Sequence, residues 1–322
     1  MSQYIFLEQH EYEEGFSEVY KTKIAPILQN MEIERKNCVM RSRIWIAILA
    51  MVSACLAWQA LKLHPVLPLF PLLAGAGAVL FVFLSRHDNA HGEFTNIVRP
   101  ILCSFFDDIT YSKAPNQDAF PSDQLRNLNL IPAADRTYLG PSIEGTWRNV
   151  SYSMTEASFY SERRDNEGDR VSRRLFSGVV MNVECFVSMP TIVFLPDFGE
   201  TLNKVYRWTI RNNRPKQKLH FPAGAVEDAF EVYTDDLDRA QNLLPPNFGL
   251  KLLEFSGAYQ KTKRSISAAF QGKKLFIVIG LDRGFMDFDV FDAPLSEAEV
   301  KIHEALADLM MPRKIIDSLL DQ

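Results

Sequence analysis

Apolar positions along this chain fall into three regimes. Between Tyr12 and Arg43, Phe16, Tyr20, Ile24, Ile27 and Met31 recur at helical spacing, with Glu13, Glu18, Lys23 and Glu34 largely between them. That pattern predicts an amphipathic helix, with Pro26 as a break or kink. From Ile44 to Leu61, and again from Val66 to Leu84, the chain is apolar with no Asp, Glu, Lys or Arg. Each run approaches the roughly 20 residues a helix needs to cross hydrocarbon. A short turn at Lys62–Pro65 joins them, so the pattern predicts a transmembrane hairpin. From about Thr137 to Leu309, short runs of Val and aromatic residues are split by Gly, Pro and Asn, as in a sheet.

The expected strands are Val150–Tyr160, Leu175–Phe186, Thr191–Leu195, Tyr206–Ile210, Phe230–Tyr233, Ser265–Phe270, Lys274–Ile279 and Met286–Phe291. Helices are expected over Glu93–Asp108 and Pro121–Leu130, after an Asp235 or Asp236 cap, over Phe248–Phe255, and behind a Ser296–Glu299 capping box. Pro245 and Pro246 stop the capped helix. The fold class is α+β: an N-terminal amphipathic helix and a two-helix transmembrane hairpin, followed by a β-rich cytoplasmic domain with interspersed helices. The expected divisions are 1–43, the hairpin 44–84, a helical linker 85–136, the α+β domain 137–311 and a C-terminal tail 312–322.

Charge orients this arrangement. Arg35, Lys36, Arg41 and Arg43 precede the first run and Arg86 follows the second. Basic flanks stay in the cytoplasm, so both termini are expected there, with the cytoplasmic (inner) membrane crossed twice. The first residues lack the basic start, apolar run and small-residue cleavage site of a signal peptide. Cys38, Cys55, Cys103 and Cys185 form no C-x-x-C pair and are expected as unpaired thiols.

Candidate chemistry is sparse. No glycine-rich nucleotide loop, Walker lysine loop or G-x-S-x-G elbow occurs. Asp282, Asp287, Asp289 and Asp292 are the best carboxylate cluster, but Asp287 and Asp289 share one face of the expected strand Met286–Phe291, which suits a half-solvated strand better than a cation site, and Asp235, Asp236 and Asp238 lack EF-hand spacing. His87 and His91 are too few for a metal site, and His303 is expected at a helix surface or edge. No catalytic pair, cofactor or metal is nominated. The one electrostatic feature is a basic arm of Lys204, Arg207, Arg211, Arg214, Lys216 and Lys218, with Trp208 among them, in a chain of formal net charge −5. Such an arm suits anionic lipid headgroups. Nucleic acid is disfavoured because no binding motif accompanies it; a solvated hairpin is the plain alternative.

Several stretches, the paired apolar runs among them, resemble the DUF3137 family of bacterial membrane proteins. They are LIPAADRTYLGPSIEG, SMTEASFY, RLFSGVVMNVE, AFEVYTDDLDRAQNLLPPNFGLKLLEF and FQGKKLFIVIG. The likeness spans roughly residues 10–310. Phe176 and Gly178 match the family's strand entry. Phe230, Val232, Tyr233, Asp236, Ala240, Leu243, Leu244 and Pro246 match its strand, helix and stop. Pro245 and Asn247 depart from it. The resemblance implies this architecture and supplies no activity and no catalytic residue. The expected function is a membrane-anchored, non-enzymatic interaction or scaffold module. Its partners are the bilayer, anionic headgroups, and a protein partner or further copies of the chain. The alternatives are a membrane-associated hydrolase or lipid-modifying enzyme with a dispersed site, or an anionic-lipid-binding module.

Overall fold

The computed structural model describes residues 5–61, 95–113, 120–164, 170–196, 217–221, 224–259, 266–281, 284–286 and 298–320. The chain divides into two compact units. One is Met1–Phe105 with Met286–Leu306, and the other is Phe106–Phe285 with Ala307–Gln322.

The first unit opens with a 3-10 turn, Glu11–Glu13, then α1 (Phe16–Val19), a π-helical turn (Tyr20–Ile24), α2 (Ala25–Leu61) and α3 (95–105). Phe16, Tyr20, Ile24 and Leu28 form the buried stripe, whereas Ile27 and Met31 are half-buried. The wide turn explains the shift. Ala25 N–H bonds the Tyr20 carbonyl five residues back, so the apolar face moves on by one position. It also sets Pro26 at the start of α2, where a missing amide hydrogen costs least.

The apolar run Ile44–Leu61 is not a free-standing span. It is the second half of one continuous 37-residue helix, whose first half carries Glu32, Glu34, Arg35, Lys36, Arg41 and Arg43. Among the described residues, no helix is long and apolar enough to cross a membrane. Val66–Leu84 and the Lys62–Pro65 turn lie outside the described residues. The transmembrane hairpin is therefore corrected, and the two-span inner-membrane placement with cytoplasmic termini goes with it. So do the bilayer, headgroup and protein partners, and the scaffold, hydrolase and lipid-binding roles: the described residues hold no membrane-spanning helix, and the basic arm that suggested headgroups lies, apart from Lys218, outside them. What stands is a mixed α+β fold with an N-terminal helical segment and a large sheet domain.

The second unit is built on an antiparallel sheet. Its described strands are β1 (Ile109–Ser112), β2 (Arg136–Trp147), β3 (Val150–Arg164), β4 (Arg170–Pro196), β5 (Gln217–Lys218), β6 (Phe230–Thr234) and β7 (Ile266–Gly280). The order is β1-β2-β3-β4-β6-β5, with β7 also on β4. Arg148 and Asn149 join β2 to β3 with φ of 49° and 62°. A two-residue turn with both residues left-handed follows the right-handed twist of the strands it links.

Two pairs of expected strands are single strands. Leu175–Phe186 and Thr191–Leu195 both lie in β4, and Ser265–Phe270, apart from Ser265 outside the described residues, and Lys274–Ile279 both lie in β7. Pro190 and Gly272 suggest chain reversals, but they mark bulges. Met189 faces Gly272, whose φ is 60°, and the β4–β7 register slips on either side of Met189. Tyr206–Ile210 lies outside the described residues, as does Met286–Phe291 apart from Met286.

One hydrophobic cluster of the sheet sits at one end of one face, while residues of the opposite face, among them Ile143, Met154, Met181 and Ile277, are buried too. Phe120, Leu125, Leu128, Leu130 and Ile131, on and around α4 (Ser122–Asn127), pack over Ala157, Phe159, Val180, Val193, Phe276 and Val278. The remaining described helices are α5 (Gly224–Ala229), α6 (Leu237–Leu243), α7 (Phe248–Tyr259), α8 (Ala298–Leu309) and α9 (Met311–Leu320). Asp236 caps α6 as expected, accepting the Arg239 amide at 3.1 Å. Ile315 and Ile316 of α9 are buried.

Candidate functional site

Strand register alone assembles the candidate site. Thr110, Glu144, Ser153 and Asn182 stand opposite one another across β1, β2, β3 and β4. Side chains two residues apart share a face. The next row on that face is therefore Thr146 and Ser151, with Glu184 on β4 and Asp108 at the entry to β1. In the other direction the same face passes through Ser142 and Thr155 to Ala157 and Phe159 under α4. One half of the face is thus apolar and covered, and the other is a polar groove of about 490 Å³. Asp108, Glu144 and Glu184 line it, and among the described residues no Lys or Arg does. Lys274, on β7, is the ladder partner of Glu184.

Two acceptors in the groove are orphaned. Asp108 Oδ2 and Asn182 Oδ1 are buried and accept no hydrogen bond among the described residues. Asp108 Oδ1 takes a single prong of Arg313, from Nη2. The Arg313 guanidinium lies 4.9 Å from the Phe106 ring centre and 4.5 Å from that of Trp147, a cation held between two aromatic faces. Trp147 is fixed in turn, since its ring N–H donates to Asp317 Oδ1 at 2.8 Å. Arg148 reaches the same oxygen at 3.2 Å. Gly145 is required in the groove floor. A Cβ there would collide with the Tyr152 hydroxyl and come within 2.8 Å of the Asp108 carbonyl oxygen.

An apolar pocket of about 280 Å³ opens where the β4–β7 register slips. Val150, Phe186, Val187, Met189, Leu243 and Phe270 are among its walls, and Glu184 lines both pocket and groove. Phe186 and Val187 are 61% and 54% exposed, which is unusual for such side chains in a strand. Cys185 also faces the pocket. Burial pushes its thiol up to about 11, so it is a poor nucleophile near neutrality. Burial likewise pushes Cys103 up to about 12.

The first unit holds a separate polar clasp. Glu13, fully buried, meets His303 Nδ1 at 2.7 Å through Oε1. Its other oxygen accepts the amides of Gln9 and His10 at 2.7 and 3.2 Å. Burial pulls the Glu13 carboxyl upward. The Gln9 amide, the His303 ring and the His10 amide together outweigh it and hold the group below its ordinary value. Phe6 stacks on His303 at 4.2 Å. His303 is therefore an enclosed partner of Glu13, with its side chain only 12% exposed, and not the surface or edge residue expected. Its Nε2 is buried, 3.8 Å from Glu299.

The residues singled out by sequence are not gathered here. Lys204, Arg207, Arg211, Arg214 and Lys216 lie outside the described residues, as do Asp282, Asp287, Asp289 and Asp292. Lys218, in β5, is exposed and stands opposite Tyr233. Among the described residues, no three His, Cys, Asp or Glu side chains converge to hold a metal. Cys55, Cys103 and Cys185 are free thiols. The groove was nonetheless signalled by alternating polar residues: Ser142, Glu144 and Thr146 on β2, and Ser151, Ser153 and Thr155 on β3.

Comparison with known proteins adds little to this geometry. The model of the family described as "Protein of unknown function (DUF3137)" matches residues 174–320. The resemblance expected over roughly 10–310 is corrected to that stretch. The apolar runs, LIPAADRTYLGPSIEG and SMTEASFY fall outside it. No curated protein matches the chain. Among solved structures, the mycobacterial trehalose monomycolate transport factor A, TtfA, aligns with 66% of this chain and 92% of its own, at 11% identity and a TM-score of 0.31. So distant a likeness carries no argument about fold or activity.

Proposed function

We propose that the sheet unit is a binding module for a small organic cation rich in N–H donors, held in the β1–β4 groove. The observation that carries this reading is the buried, unsatisfied acceptor Asn182 Oδ1, in a groove that also bears the exposed carboxylates of Glu144 and Glu184 and the Arg313-paired Asp108. A buried acceptor without a donor is costly, and a ligand N–H removes that cost. Bonds from a charged donor are about twice as strong as neutral ones.

Calorimetric titration of the full chain with agmatine, spermidine and the neutral polyol sorbitol tests this. Both amines bind and sorbitol does not. Asn182→Leu and Glu144→Gln each weaken amine binding about tenfold or more, the loss expected for one charge-assisted hydrogen bond. Sorbitol binding in place of the amines, or amine binding indifferent to both substitutions, refutes the proposal.

A further inference from the structure

We infer that the apolar pocket at the β4 bulge is a binding site in its own right, for an uncharged aromatic molecule of about two fused rings. The pocket and the groove stand on opposite faces of the sheet. Val150 and Cys185 share a face with Tyr152 and Val183, whereas Ser151, Ser153 and Asn182 point to the other. Occupation of the pocket therefore does not depend on the cation reading of the groove.

Two features carry it. The first is that the cavity is built and held open. Between Glu184 and Met189 the β4–β7 ladder slips, and no ladder partner on β3, β6 or β7 is matched to Cys185, Phe186, Val187 or Ser188. A bulge re-aims side chains at the cost of paired backbone. Here it leaves Phe186 and Val187 exposed at the rim of a pocket floored by Phe270 and Ile316. The freed segment is tied down from the side. The Ser188 carbonyl accepts Arg239 Nη2 at 3.0 Å, and the Thr191 amide donates to Asp235 Oδ1 at 3.0 Å. Arg239 belongs to α6, whose Leu243 also lines the pocket. A site fixed in shape before binding loses less free energy to ordering. The second feature is what the walls are made of. Phe186 and Phe270 are aromatic, and Cys185 and Met189 carry sulfur. Ring edges and sulfur both favour an aromatic guest over an aliphatic one of equal area. Among the described residues no Lys or Arg lines the pocket, so an anion finds no partner there. Glu184 is exposed and has Lys274 as its ladder partner, so it makes no demand for a ligand cation. Burial already pushes the Cys185 thiol up to about 11, as a wall that disfavours charge would. At about 280 Å³ the cavity is larger than the roughly 150 Å³ that holds benzene in an apolar site, which leaves room for a second ring.

The test is calorimetric titration of the full protein with indole, with cyclooctanol as an aliphatic molecule of similar size and indole-3-carboxylate as an anion. Indole binds, cyclooctanol binds more weakly, and the carboxylate is weaker than indole by about tenfold or more. Leu243→Phe, which fills the cavity, weakens indole about tenfold or more. Val187→Trp, at an exposed rim position, serves the same purpose if Leu243→Phe lowers the thermal midpoint. Phe186→Ala weakens indole about threefold more than it weakens cyclooctanol, the share expected of one ring contact beyond its area. Asn182→Leu, on the other face, leaves indole affinity unchanged. No indole binding by the wild type, or indole binding indifferent to both filling substitutions, overturns the site. A loss of indole affinity in Asn182→Leu equal to that in Leu243→Phe overturns its placement in the pocket. Cyclooctanol binding as tightly as indole overturns the aromatic guest, and equal binding of the carboxylate overturns the uncharged one. None of these outcomes touches the groove reading, which stands or falls on the amines.

Discussion

At the scale of single residues, the strongest energetic commitment is the enclosed pair of Glu13 and His303. Glu13 and His303 enclose each other, and removing either leaves the other buried without its partner. Such losses cost about 3 to 5 kcal/mol. Glu13→Ala and His303→Ala should each lower stability to urea by about 3 kcal/mol, and the double substitution by less than the sum. The pH dependence has a definite sign. The folded-state value of Glu13 lies below its unfolded value. Its contribution is therefore complete above the ordinary carboxylate range and is lost as pH falls through the depressed value. Denaturation midpoints of the wild type should fall in that acid window more steeply than those of Glu13→Gln. Equal slopes would refute the assignment.

At the scale of elements, the sheet depends on close backbone approaches that glycine alone permits. Gly178 sits where a Cβ would collide with the Ile279 carbonyl, so Gly178→Ala must part β4 from β7. A cost of about 3 kcal/mol is expected, with earlier hydrogen exchange at Val179–Val183 than at β2 amides. Much of this element-level structure was legible. The Asp236 cap, the Pro245–Pro246 stop and the alternation in β3 follow from local chemistry. What local chemistry hid was continuity. Pro190 and Gly272 carry the signals of turns, yet they face a bulge, because pairing with a distant strand outweighs local preference. The candidate site was hidden for the same reason. Asp108 and Glu184 are far apart in sequence, and only the register of four strands sets them on one face. The enclosure of His303 likewise comes from Glu13 at the opposite end of the chain.

At the scale of the whole molecule, apolarity along the sequence and helix length in space gave different answers. The run Ile44–Leu61 has the composition of a span, but it continues a helix that begins in charged sequence. The two units also predict how the protein responds to ligand. If the groove is the binding site, only the sheet unit is stabilised directly. A ligand at about one hundred times its Kd adds about 2.7 kcal/mol to the state that binds it. Hydrogen exchange should therefore slow across β1–β4 and not across α1 and the following π turn. Protection of the N-terminal helices alone would place the ligand elsewhere.

β4 has one further consequence, which concerns the order in which the domain is made. Its first edge can pair with β3 as soon as both leave the ribosome, but its second edge must wait for β7. About 70 residues separate Pro196 from Ile266. At roughly 5 to 20 residues per second, that is a wait of about 4 to 14 seconds. During it, Val179, Val180, Met181 and Val183 present an open, apolar strand edge, the kind that recruits strands from other chains. A nascent chain stalled just before Ile266 should therefore aggregate or hold a chaperone, whereas one extended past Gly280 should not.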